Sequence, residues 1–164
     1  VEDTPFGFFT DKHARQYYIQ ILDCIFYHNK RAIFPMLADY ITIKSTKVYY
    51  SFAWSGIDFN SGNHHAVVEN CYFYDCDCGT VKIYSASYNI TVKNCVIEHS
   101  QRKAGVYAFG SYYPTAGASP SKILNCIIKD GYKGASGIVI NGQLINDGLI
   151  ICLLYTSPSP RDRG

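Results

Sequence analysis

The chain has 164 residues, and 15 Lys and Arg against 13 Asp and Glu leave a formal net charge of +2. That length allows one domain at most, and with so near-neutral a balance electrostatics alone does not predict nucleic-acid binding. No apolar run is long enough to span a bilayer, so neither nucleic acid nor a membrane is an expected partner.

Residues 1–16 carry Phe6, Phe8 and Phe9 and read as an N-terminal segment belonging to an earlier coil. From residue 17 a short phrase recurs. It reads IQILDC at 19–24, ITIKST at 41–46, AVVENC at 66–71, ITVKNC at 90–95 and SKILNC at 121–126. The closing positions 24, 46, 71, 95 and 126 step by 22, 25, 24 and 31 residues. A period of that size means one structural unit stacked on copies of itself.

Two residues past each closing position comes Phe26, Val48, Phe73, Ile97 or Ile128. A column that uniformly apolar must point inward. The next position holds Tyr27, Tyr49, Tyr74, Glu98 and Lys129, which should point outward. A further strand follows in each unit, read at 32–34, 56–59, 80–83, 105–108 and 137–140. Short runs of period-2 alternation filled with β-branched residues are half-buried strands, and no sustained i, i+3, i+4 pattern competes. The expected fold is all-β: a single-stranded parallel β-helix, a solenoid of about five coils over residues 17–151, with successive coils roughly 4.8 Å apart.

Cys24, Cys71, Cys95 and Cys126 share the closing position and should form a buried stack of free thiols. Cys76 and Cys78 could be half of a zinc site, but no second pair stands at suitable spacing, so no metal or other cofactor is expected.

Two outward columns could carry chemistry. The first is Phe34, Asp58, Lys82, Tyr107 and Val139. Asp58, Lys82 and Tyr107 bring an acid, an amine and a phenol into adjacent coils. Such a trio could abstract a proton next to a carboxylate, with Lys82 as base and Tyr107 as proton donor. The plainer alternative is a solvated Asp–Lys pair beside an exposed tyrosine. The second column is His28, Tyr50, Asp75, His99 and Asp130, beside the ladder Tyr27, Tyr49 and Tyr74. Aromatic faces pack against sugar rings, and Asp75 and His99 alongside could bind hydroxyls. His64 and His65 fall in a loop and read as a solvated pair. The long step between Cys95 and Cys126 places a Gly-, Pro- and Ser-rich loop at 110–120, whose Tyr112 and Tyr113 are expected to contact a sugar.

The Asn-Cys phrases, the Gly-Ile-Asp-Phe at 56–59 and the coil length resemble the right-handed parallel β-helix proteins of the pectin-lyase-like superfamily, over about residues 17–151. The resemblance implies a right-handed coil and a carbohydrate-active protein. It would be part of a secreted polysaccharide lyase or glycoside hydrolase, or of a phage tail-spike-like depolymerase. Its partner would be a polysaccharide, its setting extracellular or a virion surface, and its full-length assembly a homotrimer if it follows the tail-spikes. The alternative is a non-catalytic structural or adhesive stalk. The motifs of polygalacturonase-type members are absent: Ala53, Trp54 and Ser55 precede Gly56 where Asn-Thr-Asp would stand, so their catalytic assignment does not carry over.

Residues 152–164 break the repeat, and CLLYTSPSPRD resembles a translated sequencing adapter. They are expected to be read-through without coil register, on the end of a truncated β-helix.

Overall fold

A computed structural model describes residues 5–84, 86–101, 104–109, 120–131, 136–141, 149–152 and 155–156. Among these residues there are strands and no helix. In chain order the strands are β1 (Phe6–Phe9), β2 (Gln16–Tyr17), β3 (Gln20–Leu22), β4 (Ile25–Tyr27), β5 (Arg31–Phe34), β6 (Ala38–Lys44) and β7 (Lys47–Tyr49). Then come β8 (Ile57–Phe59), β9 (His64–Glu69), β10 (Tyr72–Tyr74), β11 (Val81–Tyr84), β12 (Tyr88–Lys93) and β13 (Val96–Glu98). The last are β14 (Ala104–Phe109), β15 (Ser121–Leu124), β16 (Ile127–Lys129), β17 (Ser136–Asn141), β18 (Leu149–Cys152) and β19 (Tyr155–Thr156).

The strands gather into three sheets. Sheet A stacks β4, β7, β10, β13, β16 and β19; sheet B stacks β1, β5, β8, β11, β14 and β17. Sheet C stacks β6, β9, β12, β15 and β18, with β2 and β3 both pairing β6. Each full coil lays one strand on C, one on A and one on B, and pairs in parallel with the coil before it. This is a parallel β-solenoid.

The repeated phrase explains itself at the C-to-A corner. Asp23, Ser45, Asn70, Asn94 and Asn125 all have positive φ, between 48° and 54°. That left-handed conformation costs an L-residue roughly 1–2 kcal/mol, and Asn and Asp tolerate it best. The corner keeps its hydrogen bonds: Asp23, Ser45, Asn70 and Asn94 each donate their backbone N–H to a carbonyl one coil on, at 3.1–3.2 Å. The residue that follows turns inward. The thiols of Cys71, Cys95 and Cys126 donate to the carbonyls of Glu69, Lys93 and Leu124 at 3.3, 3.2 and 3.3 Å. Thr46 makes the same bond with its hydroxyl, to Lys44 at 3.0 Å. A small side chain with one donor fits this place, which is why threonine substitutes for cysteine. The six cysteines whose side chains are described are free thiols.

The inner column Phe26, Val48, Phe73, Ile97 and Ile128 stacks in register and is buried throughout. It packs against the start of sheet B. A Cβ built on Gly105 would sit 2.5 Å from Ile128 Cγ2, so only glycine fits there.

One expectation is overturned. Coil register does not stop at 151: Leu124 pairs with Cys152, Ile127 with Tyr155 and Ile128 with Thr156. The unpaired edges of β15 and β16 are templates for any short run of strand formers, and Ile150, Ile151, Tyr155 and Thr156 are such residues.

Candidate functional site

At the end of each sheet A strand a second left-handed corner recurs. His28, Tyr50, Asp75, His99 and Asp130 have φ of 53–56°. The N–H groups of His28, Tyr50, Asp75 and His99 continue the coil-to-coil ladder; that of Tyr50, for example, reaches the Tyr74 carbonyl at 2.9 Å. Strand alternation sends Tyr49 outward, and the left-handed step keeps Tyr50 from turning into the core. Two adjacent columns of rings therefore line this edge of the solenoid.

The rings zigzag between the columns. Tyr27 meets Tyr50 at 5.4 Å and 79°, Tyr50 meets Tyr74 at 5.6 Å and 83°, and Tyr74 meets His99 at 5.0 Å and 61°. Tyr49 touches Tyr72 at 5.8 Å. Polar groups flank the rings. Asp75 accepts a hydrogen bond from the Gln101 amide. The Tyr72 hydroxyl donates to Glu98 at 2.9 Å, and Lys129 holds the other Glu98 oxygen at 2.8 Å. The Lys129 hydrogen bond keeps the Glu98 carboxyl below its ordinary value. Burial, with the Glu98 carboxylate, pushes the Tyr72 phenol up to about 12. Burial, then the neighbouring Tyr74 and Tyr27, raises Tyr50 as well. Tyr27, Tyr49, Tyr74, Asp75 and His99 are thus brought together, while Tyr112 and Tyr113 lie outside the described residues.

The sheet B column is in register, Asp58 beside Lys82 and Lys82 beside Tyr107, whose side chain lies outside what is described. It is not solvated, however. Asp58 is 2% and Lys82 7% exposed. The indole of Trp54 lies against the Arg31 guanidinium at 4.5 Å and the Lys82 ammonium at 5.3 Å. Arg31 Nε stands 3.8 Å from Asp58 Oδ2. Desolvation raises the Asp58 carboxyl above its ordinary value, against the pull of Lys82 and Arg31. Asp58 Oδ1 is buried without a hydrogen-bond partner among the described residues. Lys82 Nζ reaches Cys78 Sγ at 3.7 Å. The result is a covered ion cluster, with two cations about one carboxylate. The expected solvated pair fails because the 50–55 loop folds back over the sheet, a long-range contact that strand alternation does not encode.

Sheet C carries its own ladder, from a third set of left-handed residues: Tyr18, Tyr40, His65 and Asn89. Tyr18 stacks on Tyr40 at 5.1 Å and 11°, and Tyr40 on His65 at 5.0 Å and 10°. The loop reading of the two histidines is corrected. His64 and His65 begin β9. His64 Nδ1 lies 2.8 Å from Asp39 Oδ1, which also pairs with Arg15 at 2.9 Å, and its ring stacks on Tyr88 at 4.0 Å. Burial lowers the His64 pKa, against the pull of Asp39. His65 Nδ1 is 2.6 Å from the Asn89 amide nitrogen. The left-handed residue puts two consecutive side chains on the outer face, a local break in alternation that the sequence does not announce.

Tyr50 was legible as part of the corner column. Tyr72 and Trp54 escaped the sequence reading; the one apparent signal was Trp54 being the sole tryptophan, set in a Ser-flanked loop. Among the described residues no group of three or more His, Cys, Asp or Glu side chains could hold a metal ion.

A family model described as the right handed beta helix region matches residues 13–148. No curated protein matches the chain. Among solved structures, the chain is similar to an alginate lyase from Paenibacillus sp. str. FPU-7, at 10% identity over 85% of this chain and 74% of that one, with a TM-score of 0.38.

Proposed function

For this chain, which belongs to the right-handed β-helix family, we propose a role as the polysaccharide-binding part of a carbohydrate-active protein, with the sugar lying along the outer edge of sheet A. The observation that carries this reading is the perpendicular ladder of Tyr27, Tyr50 and Tyr74. In a perpendicular pair one ring offers its edge, so its faces are not spent on that partner, and Tyr27 at the end of the ladder is 44% exposed. Asp75, Gln101, Glu98 and Lys129 beside the rings supply acceptors and donors for hydroxyls. An extracellular or virion-surface setting goes with this proposal, because that is where free polysaccharide is met, and so does a trimer in a tail-spike-like whole.

A second reading, a non-catalytic adhesive stalk, is favoured by the burial of Asp58 and Lys82. Proton abstraction by Asp58, Lys82 and Tyr107 requires the Trp54 loop to move off the sheet before a substrate reaches them.

Affinity electrophoresis tests the binding reading, with alginate, polygalacturonate, xylan and laminarin cast separately into native gels. At least one should retard the chain, and Tyr50→Ala with Tyr74→Ala should abolish the retardation. Unchanged mobility in all four gels, or retardation that survives both substitutions, would rule the sheet A edge out.

A further inference from the structure

The ring system does not end on sheet A. His28 lies 6.2 Å from Tyr27 and 5.1 Å from Phe52, which is 52% exposed. Two residues on stands Trp54, and beyond it Arg31 packs on Phe34 at 4.1 Å. The 50–55 loop thus carries an aromatic path from the sheet A edge onto sheet B.

Two features make Trp54 a platform rather than a core residue. The loop is pinned to the coil before it: the Phe52 N–H donates to the Asn29 carbonyl at 3.2 Å and the Trp54 N–H to the Lys30 carbonyl at 3.1 Å. The indole also packs against Arg31 and Lys82, at 4.5 and 5.3 Å, with Arg31 Nε 3.8 Å from Asp58 in sheet B, yet Trp54 remains 39% exposed. A rigid, half-exposed indole loses little conformational freedom when a ligand lands on it.

We infer that Trp54, with Phe52 beside it, is a sugar-binding subsite that extends the sheet A platform over the 50–55 loop, taking one pyranose ring flat on the outer side of the indole. The inference rests on the polysaccharide-binding reading and adds the direction of the glycan, which crosses from the sheet A edge toward sheet B. It also gives the Arg31–Asp58–Lys82 cluster a task, since Arg31 and Lys82 pack on the indole and steady it.

Trp54 is the chain's sole tryptophan, so its emission reports on this subsite alone. The full chain is titrated with oligosaccharides cut from whichever gel polysaccharide retards it. Saturable quenching or a spectral shift is expected, with the midpoint matching the retardation. Trp54→Ala should weaken binding about tenfold, as for a contact worth about 1.4 kcal/mol, while Trp54→Phe, which keeps a ring, should stay close to the wild type. Circular dichroism and thermal melts of both variants check that the coil is intact. Emission unchanged at saturation, or Trp54→Ala binding like the wild type while Tyr50→Ala does not, would overturn the subsite and leave the platform standing. If none of the four polysaccharides binds, platform and subsite fall together.

Discussion

On sheet C the rings of Tyr18, Tyr40 and His65 lie 11° and 10° from parallel, whereas at the edge of sheet A Tyr27, Tyr50 and Tyr74 cross at 79° and 83°. The coil spacing beneath both ladders is the same, so spacing does not choose between them. The neighbouring column does. Beside the sheet C rings run Tyr17, Asp39, His64 and Tyr88, and at its middle Asp39 and His64 are tied to Arg15 in a compact ionic cluster where Tyr40 and His65 pile flat. Beside the sheet A corner stands a second column of tyrosines, and two crowded columns interlock by turning alternate rings. Stacked rings spend their faces on each other and stabilise the solenoid. In a crossed pair the edge-on ring keeps its faces off its partner.

The largest expected effect lies beneath both ladders. Phe73 is fully buried in the inner column, and Phe73→Ala should cost about 3–5 kcal/mol. Denaturant unfolding followed by far-ultraviolet circular dichroism would measure it, and a loss below about 1 kcal/mol would mean that the core does not bear on this column.

The ligand arm of the comparison comes next. Tyr50→Ala should weaken polysaccharide binding about tenfold or more, the range of an interface hot spot, with little loss of stability. Tyr40→Ala on sheet C should do the reverse. It should leave binding unchanged and cost about 0.5–1.5 kcal/mol for the lost ring pairs. Binding lost equally in both variants would erase the distinction between the ladders.

The smallest effect is in pH. Glu98 ionises in the folded chain below its ordinary value, so its contribution is complete above about pH 4.3 and fades as pH falls through the folded value. Tyr72 is raised to about 12, so its contribution is complete below about pH 10 and is lost as pH rises toward the folded value. Glu98→Gln should flatten the acid limb of the melting-temperature profile, and Tyr72→Phe the alkaline limb, by no more than a few degrees. Ultraviolet titration of the phenolates should show one late tyrosine fewer in Tyr72→Phe. On sheet C, His64 is lowered by burial, so its contribution is present above about pH 6.5 and is lost as pH falls further. Amide protection in β9, corrected for the slower intrinsic exchange at low pH, should therefore fall on acidification while that of β10 holds.

The solenoid was legible because its causes are local and repeated. An inward apolar residue two places past each Cys or Thr recurs five times, and the register of Phe26, Val48, Phe73, Ile97 and Ile128 follows from counting. The ladder of Tyr27, Tyr49 and Tyr74 was legible for the same reason. Asp58 beside Lys82 was legible as register but not as environment, because the Trp54 loop that covers them is set by contacts with Arg31 and Lys82 and by its hydrogen bonds to Asn29 and Lys30.

The sequence by itself determined the repeat, the sheet faces and the inner columns, since a period-2 pattern within a fixed coil length leaves one register that buries the recurring apolar columns. Only the tertiary structure decided which outward side chains meet water. Left-handed residues break the alternation, Tyr50 at a corner and Tyr40 and His65 within β6 and β9, and Tyr50 is held there by the hydrogen bond to Tyr74 that the next coil offers. The crossing of the Tyr27, Tyr50 and Tyr74 rings is likewise a property of two columns packed side by side, and no single stretch of chain contains both.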